Sequence, residues 1–302
     1  MPELPDIEVY IDALTKRVLG RRLEQVRVED LFILRAARPP IDSLVGRHVT
    51  AFRRIGKRIA FGFEQDRWLV LHLMVAGRLQ WADTGASLAA KNMLATLRFE
   101  TGTLAITEAG KKRRASLHVV DGTQGLSEHD PGGLEVLTCS EREFAAALTS
   151  SNHTLKRALT DPHLFSGIGN SFSDEILHRA RLSPVALTQK LSPEEIGHLF
   201  RTGAVVLREW TERLLEEAVE KFPAKVTAFR PEMAVHGKFG KPCPVCGALV
   251  QRIVYAENEV NYCPDCQTGG RILADRSLSR LLKEDWPRSE EEAEALRRRV
   301  QG

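Results

Sequence analysis

Apolar residues recur at helical spacing near the start of the chain, where Ile7, Tyr10 or Ile11, Leu14 and Val18 share one face between Pro5-Asp6 and Gly20. That spacing predicts a short capped helix over residues 7 to 19. From about Leu23 to Val120 the pattern changes to short β-prone runs, VTAFRRI, RIAFGFE, WLVLHLMVAGRLQW, LATLRFE and GTLAIT, separated by Gly, Asp and Thr turns. Such runs predict a sandwich or a barrel. The turn-rich SEHDPGG, residues 127 to 133, marks a boundary. Beyond it the period is helical again, in EREFAAAL, HTLKRALTD, FSDEILHRARL and a long segment opening at Ser192, Pro193 and Glu195. Those three residues read as an N-cap, a proline at the first helical position and a capping-box acid. After Pro223 the chain loosens, then forms a compact cysteine-bearing module from about His236 to Arg271, followed by a charged amphipathic tail. The expected division is 1–130 for the β-rich domain, 131–235 for the helical domain, 236–271 for the cysteine module and 272–302 for the extension.

Composition narrows the class. A chain of 302 residues with 43% hydrophobic and 27% charged positions buries a full core and folds unaided. Its net charge of +3 biases it only weakly toward anionic partners. No run reaches the roughly 18 apolar residues of a membrane span, and the first residues lack the basic start and apolar stretch of a secretory signal, so a cytoplasmic location is expected. With 6% aromatic residues, a large stacking surface for single strands is not in evidence.

Four of the five cysteines fall as Cys243-Pro-Val-Cys246 and Cys263-Pro-Asp-Cys266, two close pairs with sixteen residues between them. Four thiolates at that spacing suit tetrahedral zinc, and four protein sulfurs leave no position open for water, so one structural Zn2+ is expected. The VQRIVYAENEVNYC stretch between the pairs alternates like a hairpin. Cys139 stands alone and reads as an inert packed thiol.

Two further segments carry chemistry. Pro-Glu-Leu-Pro precedes the first helix, and removal of Met1 exposes a secondary amine at Pro2 that titrates near pH 8. Attack by that amine on an aldehydic sugar carbon gives an iminium, an electron sink for β-elimination, and Glu3 beside it is placed to shuttle protons. On those four residues alone a turn and cap is the commoner meaning. In SGIGNSFSDEIL, Gly167, Gly169 and Asn170 lead into a helix, a pattern that permits close approach of backbone amides to a phosphate.

Taken together, PELPDIEV, the GKR at 56 to 58, NHTLKRALTDPHLFSGIGNSFSDEIL and the four-cysteine module resemble the formamidopyrimidine-DNA glycosylase and endonuclease VIII family, in order and spacing up to Gln267. The resemblance implies an α+β multidomain protein: an N-terminal β-sandwich with a leading helix, a helix-two-turn-helix domain and a C-terminal four-cysteine zinc finger. It implies a bifunctional glycosylase and AP lyase, a monomer associated with the nucleoid, that flips and excises oxidised bases from duplex DNA containing damaged bases or abasic sites. Pro2 matches the Schiff-base nucleophile, Glu3 the general acid and Lys57 the lysine that assists base loss; Lys156 and Asn170 match phosphate contacts.

The chain departs from the family in three places. Asn258 occupies the position of a finger arginine, which removes a positive charge near the lesion and puts δ-elimination in doubt. HLMVAGRL carries Val75 where formamidopyrimidine-type members place a methionine, with Met74 one residue early; on a strand that offset points to the opposite face. EAGKKRRASL, with Lys111, Lys112 and Arg113, replaces a loop bearing a phenylalanine wedge and suggests added phosphate binding. These differences keep two other readings open: a non-catalytic protein that senses damaged or abasic DNA, and a zinc-scaffolded adaptor whose interface is the tail after Trp286.

Overall fold

The computed structural model describes residues 1–273 except Ala37, Ser87, Ala89, Ala90, Lys111, Ala224, Lys225, Thr227 and 256–258, together with Pro287, Ser289, Glu292 and Ala295. The chain forms two compact units: Met1–Gly133 with Leu207–Thr227, and Leu134–Val206 with Ala228–Gly302.

In the first unit, helix α1 spans Leu4–Val18 and begins earlier than its apolar spacing predicts. Glu3 is its N-cap, and a capping box with Asp6 closes the first turn, the Glu3 amide donating to Asp6 Oδ2 at 2.9 Å. Pro5 fits inside that turn because its missing N–H lies among the helix's unpaired donors anyway. Two four-stranded antiparallel sheets follow. One is ordered β1 (Leu23–Val28), β6 (Met93–Phe99), β7 (Gly102–Glu108) and β5 (Gly77–Asp83); the other β2 (Val49–Ile55), β3 (Arg58–Phe63), β4 (Arg67–His72) and β8 (Ser116–Asp121). Alternation sends Ile59, Phe61, Leu69, Leu71, Leu117 and Val119 of the second sheet into one core with Leu79, Leu97, Leu104 and Ile106 of the first. Ile7, Tyr10, Leu14 and Val18 of α1 join the same core. The β-rich region is therefore a sandwich with a leading helix. On the outer face of the second sheet, short helix α2 (Gly122–Ser127) lays Leu126 against Ile55, Ala60, Trp68 and Val70.

The second unit carries α3 (Glu141–Thr149), α4 (Leu155–Thr160) and α5 (Asn170–Arg179). Helix α6, Pro193–Glu217, starts in this unit and ends in the segment that packs with the first. Ser192 and Glu195 form the expected capping box, the Ser192 amide donating to Glu195 Oε2 at 2.8 Å and the Glu195 amide to Ser192 Oγ at 3.2 Å. The cysteine module pairs β9 (Gln251–Val254) with β10 (Glu259–Tyr262) as an antiparallel hairpin, followed by α7 (Pro264–Thr268). Val235, Cys243, Val250 and Cys263 make its small core. Among the described residues, no helix is long and apolar enough to cross a membrane.

Candidate active site and nucleic-acid contacts

In the first unit the chain's start is packed rather than loose. Pro2 is buried, and Glu3 is 2% exposed. With Met1 attached, the Pro2 nitrogen is an amide, so the Met1 ammonium reports the surroundings of this end. Burial holds that ammonium below its ordinary value; Glu3 and Asp6 oppose the shift, while Arg78 and Lys57 reinforce it. The α1 start, the β2–β3 turn and the β5 start thus share one electrostatic neighbourhood.

Lys57 is half-buried in the two-residue turn between Ile55 and Arg58, which pair across the hairpin; Gly56 takes the left-handed conformation there, φ 58°. Arg78 is the second residue of β5, its Nη1 donating to the carbonyls of Val75 at 3.2 Å and Gly77 at 2.6 Å. Behind it, the Leu79 amide donates to the buried Tyr10 hydroxyl at 3.3 Å.

Met74 and Val75 do not lie on a strand, so the alternation expected there fails. Residues 73 to 76 form a tight turn, with Met74 at φ 53° and the Gly77 amide donating to the Leu73 carbonyl at 2.9 Å. A β-carbon on Gly77 would stand 2.2 Å from that carbonyl oxygen, which excludes every other residue. The turn leaves Val75 57% exposed at its tip.

The basic loop after β7 is rooted by Glu108, which is 1% exposed and accepts the amides of Arg114 at 2.8 Å and Ala115 at 3.0 Å. Lys112 and Arg113 are exposed, but the Arg113 guanidinium is already paired with Asp30 and holds that carboxyl below its usual range. Lys111 lies outside the described residues.

In the second unit, Gly167 is left-handed at φ 76° and Gly169 caps α5. Asn170 and Lys156 are tied into the protein: the Asn170 side-chain amide donates to the Glu259 carbonyl at 2.9 Å, and Lys156 Nζ donates to Asp174 Oδ1 at 2.5 Å and the Asn170 carbonyl at 2.6 Å. Asp174 also meets His236 Nδ1 at 2.8 Å, and the neighbouring Glu175 accepts the amides of Ala234, Val235 and His236 at 2.8 to 2.9 Å. Lys156 and Asn170 nonetheless line an open cleft of about 710 Å³ with His153, Arg157 and Tyr255. Asn258 lies outside the described residues.

Cys243, Cys246, Cys263 and Cys266 bring four sulfurs within 4.8 Å of one another, with Cys246 to Cys263 at 3.3 Å and Cys243 to Cys266 at 4.0 Å. Zn–S bonds of about 2.3 Å in a tetrahedron separate sulfurs by about 3.8 Å, so the residues fit one closed structural zinc. The Val245 amide points at Cys243 Sγ and the Cys266 amide at Cys263 Sγ, donors that suit thiolates. Burial and the crowding of neighbouring thiols push Cys266 up to about 11, whereas Cys243, despite its burial, is held below its ordinary value by the Val245 and Cys246 amides.

The comparisons agree with this anatomy. Family models for the formamidopyrimidine-DNA glycosylase N-terminal domain, the matching H2TH domain and the zinc finger found in FPG and IleRS cover residues 1–119, 134–221 and 240–269. The chain belongs to the formamidopyrimidine-DNA glycosylase family. A formamidopyrimidine-DNA glycosylase of Thermus thermophilus is 34% identical over 89% of this chain and all of its own length. An uncharacterised glycosylase-like protein of Mycobacterium tuberculosis is 39% identical over 50% of this chain and 94% of its own. The crystal structure of the Lactococcus lactis glycosylase bound noncovalently to DNA with an AP site has the same fold, TM-score 0.77 at 24% identity over 88% of this chain and 99% of that one.

Of the residues singled out by motif, the structure brings Glu3 and Lys57 into the surroundings of the chain's start beside Pro2 and gathers the four cysteines. Arg78, in the same surroundings, and Glu108, at the root of the basic loop, were not singled out. Arg78 follows a glycine that only a tight turn explains, a signal present in VAGRL; Glu108 lies beside the basic run and reads as its acidic flank until burial shows it gripping two amides.

Proposed function

We propose that the protein is a bifunctional DNA glycosylase and AP lyase that acts on oxidised bases in duplex DNA, working in the cytoplasm beside the nucleoid. One observation carries the reading: the buried start of the chain lies in a single electrostatic neighbourhood with Glu3, Lys57 and Arg78, in a chain whose family acts on DNA. Once Met1 is removed, Pro2 is a secondary amine. Burial and the two cations favour its neutral, nucleophilic form.

A base in a duplex is reached only after its nucleotide is flipped out. The Pro2 nitrogen then bonds to C1′ as the glycosidic C–N bond breaks, and the base leaves with a proton supplied by an acid, the role assigned to Glu3. Breaking the C1′–O4′ bond, with a proton delivered to O4′, then opens the sugar and leaves an iminium at C1′ that cannot lose an N–H proton. It acidifies C2′, so removal of a C2′ proton breaks the C3′–O bond and expels the 3′ phosphate. Water then hydrolyses the iminium and frees Pro2. Lys57 supplies positive charge where the departing base gathers electrons. Lys156, Asn170 and the amides at Gly167 and Gly169 serve as backbone-phosphate contacts, as do Lys112 and Arg113. Zinc, held by Cys243, Cys246, Cys263 and Cys266, is structural.

Borohydride trapping on abasic and 8-oxoguanine duplexes tests the reading. Mature protein is expected to yield a covalent complex that Pro2→Gly abolishes. Absence of trapping on both substrates, in protein shown by mass spectrometry to lack Met1, abandons catalysis in favour of damage sensing without chemistry.

A further inference from the structure

Four polar side chains meet where α4, α5 and the finger hairpin pack in the second unit. Lys156 comes from α4, Asp174 from α5, His236 from the segment entering the finger and Asn261 from β10, and each is less than a tenth exposed. Both Asp174 oxygens are occupied: Oδ1 by Lys156 Nζ at 2.5 Å and Oδ2 by His236 Nδ1 at 2.8 Å, with Asn261 Nδ2 at 3.5 Å. His236 is itself fixed from two further sides, its amide on Glu175 Oε1 at 2.9 Å and its ring stacked on Phe229 with centroids 5.7 Å apart. Asn261 turns its amide nitrogen toward two carboxylates, Asp174 and Glu259, the latter at 3.2 Å, and its buried Oδ1 has no partner among the described residues. An unmatched buried acceptor costs stability, so a side chain that keeps one is held in its orientation by its donors.

For a surface that meets a polyanion, this arrangement is unfavourable by charge alone. Lys156 lines the open cleft, and a carboxylate 2.5 Å from its ammonium weakens the pull of that ammonium on a phosphate. What the acid supplies instead is orientation. A lysine is a point charge on a flexible four-carbon stem with three rotatable donors, and ordering it on a ligand costs side-chain entropy. Here two donors are fixed within the protein, on Asp174 and on the Asn170 carbonyl at 2.6 Å, so the ammonium meets a ligand already ordered. Asn170 draws on the same support, its side-chain amide donating to the Glu259 carbonyl of β10 at 2.9 Å.

We propose that Asp174 is a positioning residue for the backbone-phosphate contact assigned to Lys156, and that His236 and Asn261 act through it by holding its carboxylate in place. The inference rests on the Lys156–phosphate part of the function proposed above, not on catalysis by Pro2. The carboxylate fixes the ammonium, and the finger fixes the carboxylate. The grip of the helical region on DNA therefore depends on three side chains that do not line the cleft. Removing one of them lowers affinity even when the group removed is an acid, the opposite sign to a simple charge effect.

The test is the affinity of the zinc-loaded, Met1-free protein for an abasic-analogue duplex, measured over a series of salt concentrations at fixed pH. Asp174→Ala is expected to weaken binding about tenfold and to flatten the salt slope by about one phosphate, as Lys156→Ala does. The double variant is expected to bind no more weakly than Lys156→Ala alone, because without the contact nothing remains to position. His236→Gln, which leaves both charges of the Lys156–Asp174 pair in place, is expected to give a partial loss of the same sign. Bound zinc and the thermal transition certify the fold of each variant, and His236→Gln decides the matter should Asp174→Ala not fold: wild-type affinity and slope in it overturn the proposal. So does unchanged or tighter binding by Asp174→Ala with the slope intact, or a loss that adds in full to that of Lys156→Ala. Lys156→Ala that binds like wild type overturns it too, by removing the contact it serves. Wild type that binds no duplex overturns this inference and the DNA-binding reading together, whereas loss of borohydride trapping with the salt slopes as expected sinks catalysis and leaves the positioning role standing.

Discussion

At the scale of single residues, His72 and His118, which strand pairing places on the face of the second sheet turned away from the core, make the first prediction. The unfolded chain protonates His72 and His118 near 6.5, whereas the folded chain resists until about 4. Between those values the unfolded state binds more protons, so the stability these rings contribute is complete above about pH 6.5 and is lost as the pH falls toward about 4. Thermal unfolding of wild type and His118→Gln across that window is expected to diverge, the wild type losing Tm more steeply on acidification; parallel curves refute the assignment. Glu108 gives the second. Its carboxylate satisfies two amides from within the protein, so Glu108→Ala strands both and is expected to cost about 1–3 kcal/mol in denaturant unfolding. Amide hydrogen exchange at Arg114 and Ala115 is expected to quicken in the same variant.

At the scale of elements, helix α1 ties the chemistry to the fold. Its inward face enters the sandwich core while its cap carries Glu3 next to Pro2, so packing and the candidate site depend on one helix and its cap. Leu14→Ala is expected to cost about 2–5 kcal/mol of stability by denaturant unfolding, from lost transfer energy and the cavity left behind. The apolar stripe of α1 was legible because helical spacing survives in any context, but its start was misplaced: the cap is a glutamate, a residue outside the usual capping set, and its partner Asp6 reads as preceding the helix. The Met74–Val75 turn was misread as strand for a different reason. HLMVAGRL is apolar enough to continue β4, and it is the missing β-carbon at Gly77 that lets the chain reverse so close to the Leu73 carbonyl. Gly77→Ala is expected to lower Tm by several degrees and to weaken trapping, since Arg78 is hung from the carbonyls of that turn.

For the whole molecule, the spacing of cysteines and the family's motif order were enough to foresee a sandwich, a helical region and a finger, because each rests on local covalent patterns. The partners of Lys156 and Asn170 were not foreseeable: Asp174 and Glu259 stand 18 and 89 residues away, and only the tertiary fold shows that these groups are also held from within the protein. Chelation of zinc is expected to unfold the finger, with loss of protection at Val250 and Tyr262 in hydrogen exchange, while the sandwich keeps its own transition; a single unchanged transition would show that the metal does not hold the finger. The Glu175 carboxylate meanwhile anchors the segment entering the finger through three of its main-chain amides. Exchange at positions 234 to 236 leaves that main-chain mooring in place unless proline enters, whatever it costs the packing of Val235 or the His236–Asp174 contact, whereas loss of one acid in α5 releases all three amides at once.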